Sequence, residues 1–417
     1  MSSVYRSELI NKSVMQDEYN NKHLFLIVYS LLALFVIIKD VLRIALFGMN
    51  ALSRFDLGLE IEYYMIYPLS AILLFYSIKY IRFTRSNILN IVTISGIYVF
   101  FEITQKLEGG GSLVALFYRL VMIISVYFFF QNPNISASDL KRIFLYLGVL
   151  LIIATAYLTF ALNANNIVTF SYSSLTNIDR PQIGKHLLQS TEISNILANV
   201  IIIVFGLYSM SRNMFYRASV LFCLSVIVLL FVVMGAIGSY ISLFFVFFMY
   251  YMKSGKKKSA QKWLLIPMLF CMVFVGVYYF GQDISYVIYE KIKGDGRNNM
   301  YGYLWESILK YGFFGVGYKN VGFTPHHNIL GLWAEVGFFV MFAYLSQFML
   351  CIYWFIRIVI RKSVFFKDEN IMVAAGMFCM ISLFMHLKGF VHDTWYDSSL
   401  VFFMSSMIGL CNNKNLN

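Results

Sequence analysis

Basic and imidazole side chains occur in two polar segments of an otherwise apolar chain. The first segment contains Arg180 and Lys185, and the second contains Arg297 and ends at the pair His326 and His327. A guanidinium group is planar, permanently charged and able to bind two oxygens at once, so arginine suits a phosphate-bearing substrate. A histidine titrates near neutral pH and can accept a proton. These residue types suit a phosphate-bearing substrate and a proton acceptor that works near neutral pH.

The histidine pair lies where a polar segment meets an apolar run, with Asn328 next to it. His327 is the better placed of the two for proton transfer. Adjacent histidines also serve as structural or interfacial residues, and a single loop arginine is most often a solvated charge. A metal site is a further alternative, but the chain has no HExxH segment and no acidic cluster with ligand spacing, so we expect no metal.

A glycine-rich turn precedes the histidines and contains Gly312, Gly315 and Gly317. Such a turn cradles a nucleotide when it follows a strand and opens a helix with the pattern GxxxxGK[ST] or GxGxxG. Neither pattern is present in that context. We therefore expect no nucleotide site and no cofactor.

The composition indicates a membrane protein. Hydrophobic residues make up 59% and charged residues 13% of the 417 residues, and the mean hydropathy is +0.70, whereas soluble domains carry about 25% charged residues. The apolar runs are unbroken, so they predict helices rather than the alternating strands of a barrel. The chain is predicted to be an all-α polytopic membrane protein that forms a single integral membrane domain over residues 1–417.

About twelve apolar runs predict membrane-spanning helices. They lie at about 24–47, 63–80, 88–104, 113–130, 143–161, 194–210, 217–232, 236–252, 263–280, 329–356, 371–388 and 398–411. Lysine and arginine concentrate in alternate loops, which predicts that both termini are cytoplasmic. Because the net charge of +12 falls in short clusters between apolar runs, it indicates topology signals and lipid contact rather than a nucleic-acid partner.

Two predicted external loops are long, at about 162–193 and about 281–328. Long loops in a compact fold are usually functional. Arg180 and Lys185 lie in the first loop, on the face where few basic residues are expected. The two loops share one side of the membrane and are predicted to form the active site together.

A few charged residues lie inside the predicted spans, where they are costly unless they are paired or face a cavity. Glu102 and Arg119 flank one short external loop, which predicts an ion pair. Lys39, Asp40 and Arg43 are interpreted as the end of an overlong first helix, with side chains that reach back to the interface.

The second polar segment resembles a known family. The stretch from His327 to Gly337 reads HNILGLWAEVG, and it is similar to the pattern that opens a late span in the bacterial O-antigen polymerase and O-antigen ligase superfamily of integral membrane glycosyltransferases. Ahead of it, Gly296 and Arg297 are followed by Trp305 and a Gly-x-Gly stretch, as in that family. A weaker match, to the first-loop arginine motif of that family, consists of Arg180 and Gly184, then Asn195 and Ala198.

The resemblance implies a fold of the GT-C type in the bacterial inner membrane. It implies transfer of a glycan from an undecaprenyl-diphosphate carrier at the external face, without a nucleotide sugar and without an obligatory metal. Arg180 and Arg297 would hold the diphosphate and stabilise the charge that develops on the leaving group. His327 would orient or deprotonate the acceptor hydroxyl, with His326 as the substitute. The residues expected to bind substrate are Lys185, His326, Asn328, Trp305 and Glu335.

Polymerase activity is favoured over ligase activity, because polymerases are specific to their own repeat unit and are the more varied group. A ligase would use the same donor and transfer the finished glycan to lipid A core. A polysaccharide flippase or other secondary transporter is a second alternative, and it predicts polar residues along helix faces in mid-membrane. The expected partners are the lipid-linked oligosaccharide, membrane lipids and a regulator of chain length.

Overall fold

In a computed structural model of the protein, the described residues are 22–39, 42, 62–107, 113–163, 182–183, 186–187, 190–234, 237–253, 297–318, 320–321, 327–360, 366, 368–390 and 397–413. The helices in these segments are α1 (Lys22–Lys39), α2 (Tyr67–Ser77), α3 (Arg85–Leu107), α4 (Leu113–Phe130), α5 (Ala137–Asn163), α6 (Ser190–Met210), α7 (Met214–Met234), α8 (Ile237–Lys253), α9 (Arg297–Tyr311), α10 (Asn328–Val336), α11 (Phe338–Phe355), α12 (Glu369–Lys388) and α13 (Ser398–Cys411).

Short irregular elements adjoin these helices. A π-helical turn, Glu62–Ile66, leads into α2, a 3-10 turn, Ile78–Tyr80, follows it, and a second π-helical turn, Ile356–Ile360, follows α11. Two strands of two residues each, β1 (Gln182–Ile183) and β2 (His186–Leu187), pair antiparallel within the first predicted loop.

Seven of the described helices are long and apolar enough to cross a membrane: α1, α3, α4, α5, α6, α11 and α12. Shorter apolar helices lie within α7, α8 and α13. This confirms a helical, multi-pass membrane protein. Each predicted run except the one at 263–280, which lies outside the described residues, coincides at least in part with a helix. The total of about twelve spans and the orientation of the termini stay predictions.

The predicted run at 329–356 was wrong as a single helix, because it is two helices that meet at Gly337. The backbone φ of Gly337 is 98°, a left-handed conformation that favours glycine. Its N–H bonds to the carbonyls of Leu332 and Trp333 at the end of α10, and a Cβ at this position would lie 2.6 Å from the Phe313 carbonyl oxygen. Both the turn and the close packing therefore require glycine here.

The centre of the bundle is α12. It packs against α5, α6, α8, α11 and α13, and α13 in turn packs against α3 and α4. Nearly every α12 side chain from Ile371 to Lys388 is buried, as expected for a helix that is apolar on all sides. Because α12 contacts helices from both halves of the chain, residues at its end can align elements that are distant in sequence.

Candidate active site

His327 lies at the start of α10 in extended backbone conformation, and it caps the helix. Its Nδ1 accepts a hydrogen bond of 3.3 Å from the backbone N–H of Leu330, which satisfies one of the free N–H groups of the first turn. In this geometry the neutral ring carries its hydrogen on Nε2. Nε2 is therefore the atom that can meet a substrate, as a donor while the cap is intact.

Two aromatic rings flank the imidazole of His327, edge to face. The ring centroid of Tyr301 lies 6.3 Å away and that of Phe390 lies 5.6 Å away. His327 is half-buried, and this burial lowers its pKa below the usual value of 6.5. The neutral imidazole consequently persists to lower pH than in an exposed histidine.

Asn328 ties the histidine element to the central helix. Its backbone N–H donates to the Gly389 carbonyl at 2.7 Å, and its side-chain amide donates to the Tyr344 hydroxyl at 3.0 Å. That hydroxyl donates to the His386 carbonyl at 3.3 Å. Asn328 is 2% exposed, so in this structure it holds His327 in place rather than facing a substrate.

The helices α9 and α10 pack against each other and run parallel, start beside start and end beside end, and we term them the α9–α10 pair. Leu304 and Ile308 of α9 and Ala334 of α10 form a small core between them. At one end Tyr301 contacts His327, and at the other the Trp333 indole N–H donates to the Gly312 carbonyl at 2.9 Å. The chain thus pairs two helices on either side of the glycine-rich turn.

Arg297 begins α9 one helical turn before Tyr301. Residues four apart share a face of a helix. The α9–α10 pair therefore has the backbone of Arg297 at the same end as His327. The Arg297 side chain is outside the described residues.

Two other predicted substrate-binding residues, Trp305 and Glu335, lie farther along the α9–α10 pair. Trp305 is 50% exposed, and its ring meets that of Trp333 edge to face at 6.4 Å. Glu335 is buried near the opposite end of α10, where its carbonyl accepts from the Gly317 N–H. Trp305 thus offers an accessible aromatic face, whereas Glu335 lies away from His327.

Three predicted site residues, Arg180, Lys185 and His326, lie outside the described residues. Within the described segments, no group of three or more histidine, cysteine, aspartate or glutamate side chains could hold a metal ion. The part of the candidate site that the structure describes is accordingly the α9–α10 pair and the helices that hold it.

Lys388 is a site residue that the sequence interpretation omitted. It is 1% exposed in the last turn of α12 and donates to the side-chain carbonyl of Asn195 in α6. The next residue, Gly389, accepts from Asn328. Lys388 therefore links α6, the helix that follows the first long loop, to the start of α10. The available signal was a lysine at the external end of a predicted span.

A second cluster lies in helices α1, α3 and α4 and in the turn before α2. It consists of Lys39, Glu62, Glu102 and Arg119, which we term the charge quartet. Arg119 lies 3.9 Å from Glu102, both side chains being 4% exposed, so the predicted ion pair is confirmed. The Arg119 guanidinium also lies 4.8 Å from the centre of the Tyr98 ring.

The snorkelling interpretation of Lys39 was wrong. Its ammonium lies 3.5 Å from the Glu62 carboxylate and donates to the Ser398 hydroxyl at 2.8 Å. Glu62 also accepts from the Tyr67 hydroxyl at 2.8 Å, and it interacts electrostatically with Arg119. Burial against an opposite charge replaces exposure at the interface. Asp40 and Arg43 lie outside the described residues.

Comparisons with known proteins give no identification. No model of a known protein family matches the chain, and no curated protein matches it significantly. The family resemblance therefore rests on the quoted motifs, and the functional argument on the geometry of the site.

Proposed function

We propose that this protein is an O-antigen polymerase of the bacterial inner membrane. It would transfer a glycan from undecaprenyl diphosphate onto a lipid-linked repeat unit at the periplasmic face. The observation that carries the proposal is the α9–α10 pair, which brings the backbone of Arg297 at the start of α9 to the same end as the half-buried His327. A permanent cation for the donor diphosphate and a neutral imidazole for the acceptor hydroxyl suit transfer from a diphosphate carrier.

The arginines act on the donor in this proposal. The acceptor hydroxyl oxygen forms a bond to the anomeric carbon, and the bond from that carbon to the diphosphate oxygen breaks with its electron pair. Negative charge develops on the departing diphosphate, and guanidinium donors placed around it stabilise the transition state more than the ground state. Arg297 and Arg180 have this role.

His327 acts on the acceptor. While Nδ1 caps α10, Nε2 carries the ring hydrogen and orients an acceptor oxygen by donating to it. To remove the proton of the hydroxyl, Nε2 must be free to accept. The ring then carries its hydrogen on Nδ1 and gives up the bond to Leu330. Asn328, Tyr344 and Gly389 hold the residue in place during either step.

O-antigen ligase activity is the alternative, because it uses the same donor and differs only in the acceptor. The arrangement of His327 and Arg297 supports both activities. A flippase or transporter is a weaker alternative. About twelve spans would also suit a transporter, which predicts charged residues inside the bundle, but those of the charge quartet neutralise one another.

The test is complementation of a bacterial strain that lacks its own copy of the gene. Surface polysaccharide is compared on a gel for the wild type, Arg180→Ala, Arg297→Ala and His327→Ala, with membrane levels checked. Lys106→Gln is a matched control, because Lys106 is exposed at the end of α3, on the same predicted face.

A polymerase restores a ladder of long chains, and the three alanine variants leave core with a single repeat, whereas the control keeps the ladder. If the wild type instead restores a ladder on core and the alanine variants retain that ladder on the lipid carrier, the protein is a ligase. Undiminished polysaccharide in the alanine variants would refute the proposed site.

A further inference from the structure

An open groove of 610 Å³ lies at the end of the α9–α10 pair that is away from His327. Its volume is within the range of about 300–1,000 Å³ that small-molecule sites occupy. The side chains that matter here are Lys310, Tyr311, Phe313, Phe314, Trp333 and Phe338. The groove is therefore aromatic, with one cation at its rim.

Backbone contacts make the groove a preformed one. Hydrogen bonds join the glycine-rich turn to the junction of α10 and α11. The Phe338 N–H donates to the Gly312 carbonyl at 3.1 Å, and the Val316 N–H donates to the Ala334 carbonyl at 2.9 Å. Gly315 has a φ of 77°, and a Cβ there would lie 2.3 Å from the Glu335 carbonyl oxygen. The turn holds its aromatic side chains on a fixed platform.

The lining has the character of a site for an anionic lipid. Phe313 and Phe314 are 61% and 64% exposed, although they belong to a predicted external loop, where such exposure to water is unfavourable. The Lys310 ammonium lies 5.0 Å from the centre of the Tyr311 ring, and its hydrogen bond to Tyr311 raises its pKa. An apolar chain with a negatively charged head group complements both features.

The groove is too far from the catalytic end to hold the donor diphosphate. Lys310 is thirteen residues after Arg297 in α9, which corresponds to about 20 Å along a helix. The donor reacts at the carbon that bears its diphosphate, so that diphosphate must lie beside His327. The acceptor of a polymerase reacts at the far end of its glycan, so its own diphosphate lies one glycan length away.

We propose that this groove binds the polyprenyl diphosphate of the acceptor. The isoprenoid tail lies on Phe313 and Phe314, and the diphosphate contacts Lys310. The acceptor glycan runs along the α9–α10 pair past Trp305 to His327. This inference rests on the proposed function. It also sharpens it, because the lipid A core acceptor of a ligase has no polyprenyl diphosphate.

The experiment measures how many molecules of undecaprenyl diphosphate the full-length protein binds, by native mass spectrometry from lipid nanodiscs. We expect two per wild-type chain and one for the double variant Lys310→Gln with Phe314→Ser. The matched control is Lys106→Gln with Phe222→Ser, which removes an exposed lysine and a phenylalanine of 71% exposure in α7 that does not line the groove. The control should bind two.

A single bound molecule in the wild type, or two in the groove variant, overturns the inference. So does displacement of the second molecule by phosphatidylglycerol, because the groove would then be an ordinary lipid contact. Arg297→Gln should lose the other molecule. If that loss occurs and the groove variant still binds as the wild type does, the proposed function survives and the acceptor site fails.

Kinetics with a separate donor and acceptor provide a second measurement. The groove variant should raise the KM for the lipid-linked acceptor by about tenfold or more, the effect of losing a charge-assisted contact, and leave the KM for the donor unchanged. An equal effect on both substrates would contradict the assignment. Two bound molecules without any polymer product would instead refute the proposed function and leave the lipid site intact.

Discussion

The α9–α10 pair and the charge quartet both place ionisable side chains near the predicted external face, but they differ in burial. In the pair, His327 is half-buried and Trp305 is 50% exposed, so both side chains are accessible at the surface of the protein. In the quartet, Glu102 and Arg119 are each 4% exposed and paired with each other. Accessible side chains such as His327 can contact a bound molecule, whereas buried ion pairs mainly hold helices together.

The physical reason is desolvation. A charge in a low-dielectric interior costs several kcal/mol, and an opposite charge must offset this cost. Lys39 and Glu62 meet this need from different helical elements, with Ser398 of α13 as a further partner. The quartet consequently specifies which helices pack together at that end of the bundle. His327 avoids the cost by staying neutral.

Breaking the quartet should produce the largest effect on folding. Replacing Arg119 by methionine leaves the Glu102 carboxylate buried without its ion-pair partner and should destabilise the protein by about 3–5 kcal/mol. His327→Ala should remove a helix cap and cost only about 0.5–2 kcal/mol. Thermal unfolding of the purified protein in detergent, together with membrane yield, measures both effects.

The paired substitution of Glu102→Gln with Arg119→Met serves as the control, because it removes both charges. It should recover much of the lost stability. If Arg119→Met alone unfolds no more readily than His327→Ala, the quartet does not have the structural role assigned to it.

Lys388 shares a property with each region: it is buried like the residues of the quartet, and it supports the α9–α10 pair. Lys388→Met should leave the Asn195 amide carbonyl without this donor and cost about 1–3 kcal/mol. Lys388→Arg should restore part of the stability and of the polymer yield. The readouts are the unfolding temperature and the length of the polysaccharide ladder.

Asn195→Asp separates two roles for Lys388. It offers the ammonium an opposite charge, so a bridge between α6 and α12 should persist and activity should be retained. Loss of activity with a raised KM for the donor would instead mean that Lys388 binds the substrate itself.

The pH dependence of activity should give the smallest effect and sharpen the assignment of His327. Burial lowers its pKa, so activity should stay level from neutral pH down to about 6.5, the pKa of an ordinary histidine. It should then fall below the lowered pKa, because protonation of Nδ1 removes the acceptor for Leu330 and the neutral ring is lost. The fall should approach tenfold per pH unit.

The stability contribution has the same sign. The unfolded chain binds the proton more readily than the folded protein does, so stability should decrease as the pH falls below the unfolded pKa. Initial rates and unfolding temperatures at pH 5 to 8, for the wild type and His327→Gln, measure both effects. A rate that increases steadily toward pH 5 would exclude the neutral imidazole as the working form.

Much of the architecture could be predicted from local features. Hydropathy located most of the described helices, because a helix in lipid must be apolar along its length. The ion pair of Glu102 and Arg119 was predictable for the same reason, since both charges flank one short loop. The break at Gly337 was not predicted, because the run on either side of it is equally apolar and the need for glycine comes from the Phe313 carbonyl.

What the sequence by itself determined is therefore a helical membrane protein with histidine and arginine in its polar segments. The tertiary structure alone decided that α9 and α10 lie side by side in parallel, which brings the start of α9 to His327, and that Lys39 meets Glu62. It also placed Lys388 against Asn195, 193 residues away in the chain. Hydropathy depends on each segment separately, whereas these contacts depend on how distant segments pack around α12.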